Sequence, residues 1–372
     1  MQVPRRAQIL FDLHAVSFLT REGSRNLLAR VNRNLDRPTA AVVGCSANGR
    51  YRPGSLMHAR SLHDLRPDAY RYTWDNSFEP ALEIDSGEAV MLHVRDASDE
   101  QITSTSGVDD VLRLDFSHVN PVSGPVFVKG AEPGDALAVE LIEFRPQSWG
   151  WTAIIPGFGL LADEYPDPWL RISHVDPERD RIRFSDQVTL PYRPFPGTLG
   201  VAPSEPGHHS IVPPSRFGGN MDTKHLNPGV TLYLPVGVPG ALFSLGDTHA
   251  AQGDGEVCGT AIETAMEAVV RLTVRKDVRV DAPQYDVPAG LVAAHEQSSY
   301  HVCTGVGPDL FEAARDSVRA TVRWLGERHG LERQEAYAVA SVACDLRIHE
   351  VVDAPNWVVG CFVPESIFEQ GG

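Results

Sequence analysis

The chain has 372 residues, of which 42% are hydrophobic and 22% charged, and it carries a net charge of −16 at neutral pH. That length supports a large core in about two lobes; no apolar run reaches the ~20 residues needed to span a membrane, and the acidic balance argues against binding along a nucleic-acid backbone. Five scattered cysteines (Cys45, Cys258, Cys303, Cys344 and Cys361) without a CxxC pair fit buried thiols in the reducing cytoplasm better than disulfides or a Cys-based zinc site.

Residues 1–60 carry ten Arg, no Lys and three acids, a net +7 that leaves −23 on the remainder. Residues 1–65 lack periodicity and read as a basic extension. A transit peptide, a disordered basic tail and upstream sequence before a true start at Met57 all fit, the last two best. From Tyr70 onward, residues 82–84, 88–94, 112–116, 126–129 and 136–144 read as short strands punctuated by Gly-containing turns. Residues 146–215 are rich in Pro, Gly and Trp and read as long ordered loops, with short strands near 169–174 and 181–184. Trp149, Trp151, Phe158 and Trp169 in this region are candidate walls of a small pocket.

Strands are expected at 230–236, 241–245 and 264–274, the last placing Met266, Ala268, Val270 and Leu272 on one face. The strong helix signals come late. Asp309 caps a helix running to about His329, with Gly330 at its C′ position, and a second helix covers 332–343. Closing strands are expected at 346–352 and 357–363. The expected class is α+β and mostly β: a β-sandwich or barrel-like scaffold with a small α/β C-terminal part.

Residues 218–263 hold Asp222, Asp247, His249, Asp254, Glu256 and Glu263 among many glycines and three prolines. Gly and Pro build packed turns that aim side chains, whereas solvated acidic faces rarely contain them. Asp247 and His249, two apart at a strand end, point to one face and suit Zn²⁺ or another divalent ion. A turn at Gly218-Gly219-Asn220 brings Asp222 to the same place, and Glu263 is a further ligand candidate. Glu256 and Asp254 are candidate proton carriers, and Asn220 is a candidate oxyanion donor. Taken singly, each acid is equally well a turn cap and His249 a satisfied core histidine; six such residues in one Gly-rich run favour a site.

Other residues read more weakly. His118, His208 and His209 are more often structural than functional. Asp96 and Asp99, beside Gln101, fit a second, calcium site or a capped turn, and the turn is preferred. Asp345 is either buried toward the site or a helix-end cap. No HExxH, G-x-S-x-G or P-loop is present, and the G-x-G-x-x-A match at 157–162 has no βαβ context.

Several segments resemble the acetamidase/formamidase family: Asn120-Pro121 with Gly124-Pro125-Val126, Ala131 to Asp135, Gly218 to Asp222, Leu234-Pro235-Val236 to Pro239-Gly240-Ala241, and Gly246 to Glu256. The resemblance runs from about Tyr72 to the C-terminus, making 66–372 the catalytic region. It implies a mostly β, α+β fold and hydrolysis of short amides such as formamide and acetamide to the acid and ammonia, with a divalent metal plausible. Zinc held by Asp222, Asp247, His249 and Glu263 is the spacing-based assignment. A metal-free amidase using the Glu256/Asp222 pair or Cys258 as a thiol, and a non-enzymatic β-sandwich binding protein, are the alternatives. The expected partner is a small neutral amide, with no nucleic acid or membrane, in a homo-oligomer.

Overall fold

The computed structural model describes residues 61–288, 291, 299–350 and 357–368. The expectations for residues 1–60, Cys45 and Met57 lie outside the described residues. Leu62–Leu65, grouped by sequence with the basic extension, form an edge strand parallel to Glu88–Val94, with Leu62 opposite Ala89.

Two open sheets form the scaffold. The larger has six strands in the order Leu62–Leu65, Glu88–Val94, Met266–Arg275, Ala136–Pro146, Thr231–Pro235 and Gln284–Asp286. Its middle strand alternates as expected, and Met266, Ala268, Val270 and Leu272 are all buried. The second sheet runs Gly218–Asn220, Phe195–Gly200, Phe243–His249, Val122–Val128 and Leu82–Ile84. Leu92, Leu141 and Val270 of the first and Val126, Leu199 and Leu245 of the second meet in one core. That is sandwich packing; among the described residues no sheet closes into a barrel.

Residues 146–215, expected as loops with short strands near 169–174 and 181–184, hold those two strands and four more, of which His209–Ser210 pairs with Thr73–Trp74. Trp149–Ile154, Trp169–Asp176, Arg181–Arg183 and Thr189–Pro191 form a four-stranded sheet, and Phe195–Gly200 joins the second sheet. Phe195–Gly200 is buried at every residue, so no polar–apolar alternation marks it, and its Pro and Gly read as loop. Residues 112–116, expected as a strand, instead connect a helical turn at Val108–Val111 to a 3-10 turn at Phe116–His118. Asp115 Oδ1 accepts from Ser117 N at 2.9 Å, which satisfies the backbone locally rather than in a ladder.

The C-terminal part is the expected α/β unit. Leu310–His329 is capped by Asp309, which accepts from Glu312 N at 2.9 Å, and ends at Gly330 with φ +70°. Arg333–Ala343 follows, and Tyr300–Gly307, Trp357–Pro364 and Asp345–Glu350 form an antiparallel sheet. This unit grips the Gly-rich loop 252–256. Gly253 N donates to Ser341 O at 2.8 Å and Leu346 N to Asp254 O at 3.0 Å. A Cβ on Gly253 would lie 1.8 Å from Cys344 O, so only glycine lets the loop approach. No described helix is long and apolar enough to cross a membrane.

Candidate active site

The site forms where the second sheet loses its regular ladder. Phe195–Gly200 pairs with Phe243–His249 at Pro196↔Thr248 and Thr198↔Gly246, but Gly197 and Asp247 between them are unpaired. Asp247 has φ +50°, which re-aims its carboxylate. A Cβ on Gly197 would come within 2.5 Å of Asp222 Oδ1 and 2.7 Å of His249 Cε1. Glycine is therefore required beneath the cluster. Asn120, Asp222 and Glu256 also have positive φ, at +48°, +46° and +42°. Glu pays most for this conformation, since Asn and Asp tolerate it better, and such strain concentrates at functional sites. Glu263 arrives from the next segment, bridging Trp151 and His249 outside the named strands.

His249 is almost fully buried at the centre. Its Nδ1 lies 2.8 Å from Gln252 Oε1, while Gln252 Nε2 donates to the Asp222 main-chain oxygen at 2.8 Å. A carbonyl only accepts, so the Gln252 amide has one orientation and Nδ1 carries the proton. His249 Nε2 then faces Asp247 Oδ1 at 3.2 Å and Glu263 Oε2 at 3.1 Å. Asp247 Oδ2 accepts from Asn120 Nδ2 and Thr198 Oγ1, each at 3.2 Å. Asn120 Nδ2 also reaches Asn220 Oδ1 at 3.1 Å, Thr198 Oγ1 donates to the same oxygen, and Asn220 Nδ2 donates to Asp222 Oδ2 at 3.1 Å. Glu263 Oε1 accepts from Ala261 N at 2.7 Å.

Two buried oxygens in this network have no donor: Asp222 Oδ1 and Glu263 Oε2. Glu263 Oε2 is close enough to His249 to pair as charges, but no N–H points at it. Two overlapping groups have ligand atoms within 4.8 Å of one another: Asp222, His249 and Glu256, and Asp247, His249 and Glu263. Orphaned carboxylate oxygens around an imidazole whose far nitrogen is held by an amide oxygen form a donor set suited to a divalent cation.

The charges strain one another. Burial lifts the Asp222 carboxyl to about 6, and the Asp247 charge adds to it. Burial likewise lifts Glu263 to about 7 against the opposing pull of His249. Burial, then the Asp222 charge, puts Glu256 well above the carboxylate range. Burial also opposes ionisation of Asp247, but His249 outweighs it and holds that carboxyl low. Burial disfavours a charged His249, yet Glu263 and Asp247 overcome it and raise the imidazole well above its usual range. Four carboxyls around one imidazole is a surplus that protons or a cation must neutralise.

The structure thus gathers Asp222, Asp247, His249, Glu256, Glu263 and Asn220, but not Asp254. Asp254 lies 3.6 Å from Lys224 Nζ and 3.7 Å from His225 Nε2. Asp345 is buried beside it, bonded to Lys224 Nζ and to Arg347 Nη2. Asp96 is a turn cap rather than a calcium ligand: its carboxylate accepts from Ser98, Glu100 and Trp151 Nε1. Asp99 accepts from Arg95 and Tyr72. Exposed His118 pairs with Asp115, His208 with Asp75, and His209 with the Glu205 carbonyl. Cys258 is fully buried, and burial raises its thiol further, against use as a nucleophile.

Gly197, Thr198 and Gln252 were not singled out by sequence reasoning, and Asn120 entered only as part of a motif. The spacing His249-Ala250-Ala251-Gln252 was a usable sign, since the third residue after a turn-end histidine can return to its ring. Nothing local marked Gly197, which sits 25 residues before Asp222.

A cavity of about 100 Å³ opens onto Asn120, Asn220, Asp247, Glu256 and Glu263, with Trp151 and Phe158 among its walls. Trp149 and Trp169 are not among its lining residues.

Such a centre, surplus carboxyls around one imidazole beside a small cavity, has the make-up of an enzyme site. The acetamidase/formamidase family matches residues 60–211 and 207–370. The chain belongs to that family. It is 25% identical to the formamidase of Methylophilus methylotrophus, over 76% of this chain and 85% of the other. Among solved structures, it is 31% identical to the acetamidase of Yersinia enterocolitica, with TM-score 0.57 over 83% of this chain and 94% of that one. A gamma lactamase from Delftia acidovorans superposes with TM-score 0.76 at 24% identity, over 81% and 90% of the two chains.

Proposed function

We propose that this protein hydrolyses short amides, adding water across the C–N bond to give a carboxylic acid and ammonia. Asp222, Asp247, His249 and Glu263 hold a divalent cation, with zinc the best fit to this mix of one imidazole and carboxylates. The observation that carries the assignment is the pair of orphaned buried oxygens, Asp222 Oδ1 and Glu263 Oε2, flanking an imidazole whose Nδ1 is committed to Gln252. When bound, the ion acts as a Lewis acid that acidifies water and polarises the amide carbonyl.

The remaining steps belong to the chain. Glu256 lines the cavity and accepts the proton of the attacking water, then returns it to the leaving nitrogen, which departs as ammonia. Asn220 Nδ2 gives one hydrogen to Asp222; its second is available to the carbonyl oxygen as negative charge develops there. Asn120 and Thr198 hold Asp247 and Asn220 in place and carry no proton. Trp151, Ile155 and Phe158 keep water from the reacting centre.

One observation favours a second, metal-free reading. Burial raises both Asp222 and Glu256, the Asp222 charge raises Glu256 further, and a hydrogen bond from Glu256 pulls Asp222 back down, as in a carboxyl dyad sharing a proton. Ammonia release from formamide and acetamide, measured before and after chelation with elemental analysis, separates the two. Loss of activity on chelation and recovery on adding zinc supports the metal; full activity in metal-free protein leaves the dyad.

A further inference from the structure

The His249 ring is held on three sides, and only one of them distinguishes its nitrogens from its carbons. Phe195 packs against it edge to face, with ring centroids 5.0 Å apart and planes at 84°. Gly197 leaves it room, since a Cβ there would lie 2.7 Å from Cε1. Both contacts fix the plane of the ring. Neither reads its chemistry: turning an imidazole over keeps its shape while exchanging Nδ1 with Cδ2 and Nε2 with Cε1. Turned over, His249 would present carbon to Asp247 and Glu263.

The third side is Gln252. Its Oε1 lies 2.8 Å from Nδ1, and a carbonyl oxygen holds N–H far better than C–H. An amide can itself be turned over. Here Gln252 Nε2 donates to the Asp222 main-chain oxygen at 2.8 Å, and a backbone carbonyl only accepts. The backbone thus orients the amide, and the amide orients the ring. Gln252 is 7% exposed, and its neighbours in the chain are pinned. Ile262 N donates to Ala251 O at 3.0 Å, and Gly253 N to Ser341 O at 2.8 Å.

Two further features suit this task. Gln252 joins the His249 ring to the turn that carries Asp222, two members of one donor set that come from separate segments. It is also neutral. A carboxylate often holds the far nitrogen of a metal-binding histidine, but four carboxyls already crowd this centre, and a fifth would add like charge.

We propose that Gln252 is the positioning residue of this centre. It selects the ring orientation that presents His249 Nε2 to Asp247, Glu263 and a bound cation, and it ties that ring to the Asp222 turn. What concerns the cation rests on the metal reading above; what concerns the ring does not.

The test uses the full chain labelled with ¹⁵N-histidine, and two variants. Gln252→Met keeps the length and removes both hydrogen bonds; Gln252→Glu keeps an oxygen for Nδ1. In metal-free parent protein the His249 Nδ1–H is expected as a slowly exchanging NMR resonance, assigned by its loss in His249→Ala. It should vanish in Gln252→Met and persist in Gln252→Glu. Zinc affinity, from competition with a chelator, should fall about 10–100-fold in Gln252→Met and stay within about threefold of the parent in Gln252→Glu. A packing role alone would lower the unfolding midpoint of Gln252→Met and leave the zinc affinity of the folded protein unchanged, a result that overturns the proposal. Equal weakening in both variants overturns it too, since the acceptor for Nδ1 would then make no difference. If the parent binds no zinc, the metal reading fails and the resonance decides alone. Its loss in Gln252→Met upholds the positioning of the ring, and its survival there removes it.

Discussion

Two acidic clusters share the Gly-rich run and its neighbours, and they differ in one respect. Around His249, four carboxyls (Asp222, Asp247, Glu256 and Glu263) meet a single imidazole, and two of their oxygens lack any donor. A few residues on, Asp254 and Asp345 meet Lys224, Arg347 and His225. There the cations match the carboxylates. Burial opposes the Asp345 charge, but Lys224 outweighs it and holds that carboxyl low. Acids with matched cations fasten structure, here the C-terminal unit to the site loop. Surplus acids with orphaned atoms are what a cation or a proton-transfer reaction uses.

The largest effects should fall on the unbalanced cluster. His249→Ala is expected to reduce kcat/KM on acetamide by about 10³-fold or more and to lower bound metal in elemental analysis. Glu256→Gln should cost about 10²–10⁴-fold, the usual range for a proton carrier, with metal retained. A loss under tenfold in either would move the chemistry elsewhere.

The balanced cluster should respond in stability. The side chains of Lys224 and Asp345 are 9% and 5% exposed, so Lys224→Met leaves a buried carboxylate short of its partner. The expected cost is about 3–5 kcal/mol of unfolding free energy, read from urea denaturation. An unchanged midpoint would show that this cluster does not fasten the fold.

Sequence could see which residues were unusual but not which neighbours they would find. Asp247 and His249 were legible because their spacing is local, and the helices because Asp309 and Gly330 are local signals. The surroundings of Asp254 were not legible: Lys224 is 30 residues away and Asp345 is 91, and no spacing rule joins them. The strand Phe195–Gly200 was invisible because full burial removes alternation. Yet it carries Gly197 and Thr198, two residues without which the carboxylates would not meet.

The metal-free protein gives a pH test of the surplus charge. Asp222 at about 6 and Glu263 at about 7 bind protons more tightly folded than unfolded, where both titrate near ~4. Their protonation stabilises the fold fully below pH ~4, and this is lost as pH rises through 6 and 7. His249, also raised, shifts stability in the same direction above its unfolded range near ~6.5. The melting temperature of chelated protein should therefore fall between pH 5 and 8. Added zinc should raise it most at pH 8, where the carboxylates are bare. A flat profile would mean the four carboxyls do not share one low-dielectric space.

The smallest expected effect is the sharpest check on the division between clusters. Asp254→Asn keeps the shape and removes only the charge. Its ion pairs are long, 3.6 and 3.7 Å, and its side chain is 29% exposed. Screened pairs of this kind contribute about 0–1 kcal/mol. The contacts that place the loop come from its backbone, Asp254 N to Asp345 Oδ1 and Leu346 N to Asp254 O, and these survive the substitution. We expect kcat/KM to stay within about threefold of the parent, since ~0.6 kcal/mol is that factor. Glu256→Gln, two residues away and of the same chemical kind, should differ by orders of magnitude. Should the two variants lose activity equally, Asp254 acts in the reaction, and charge balance does not separate the working acids from the structural ones.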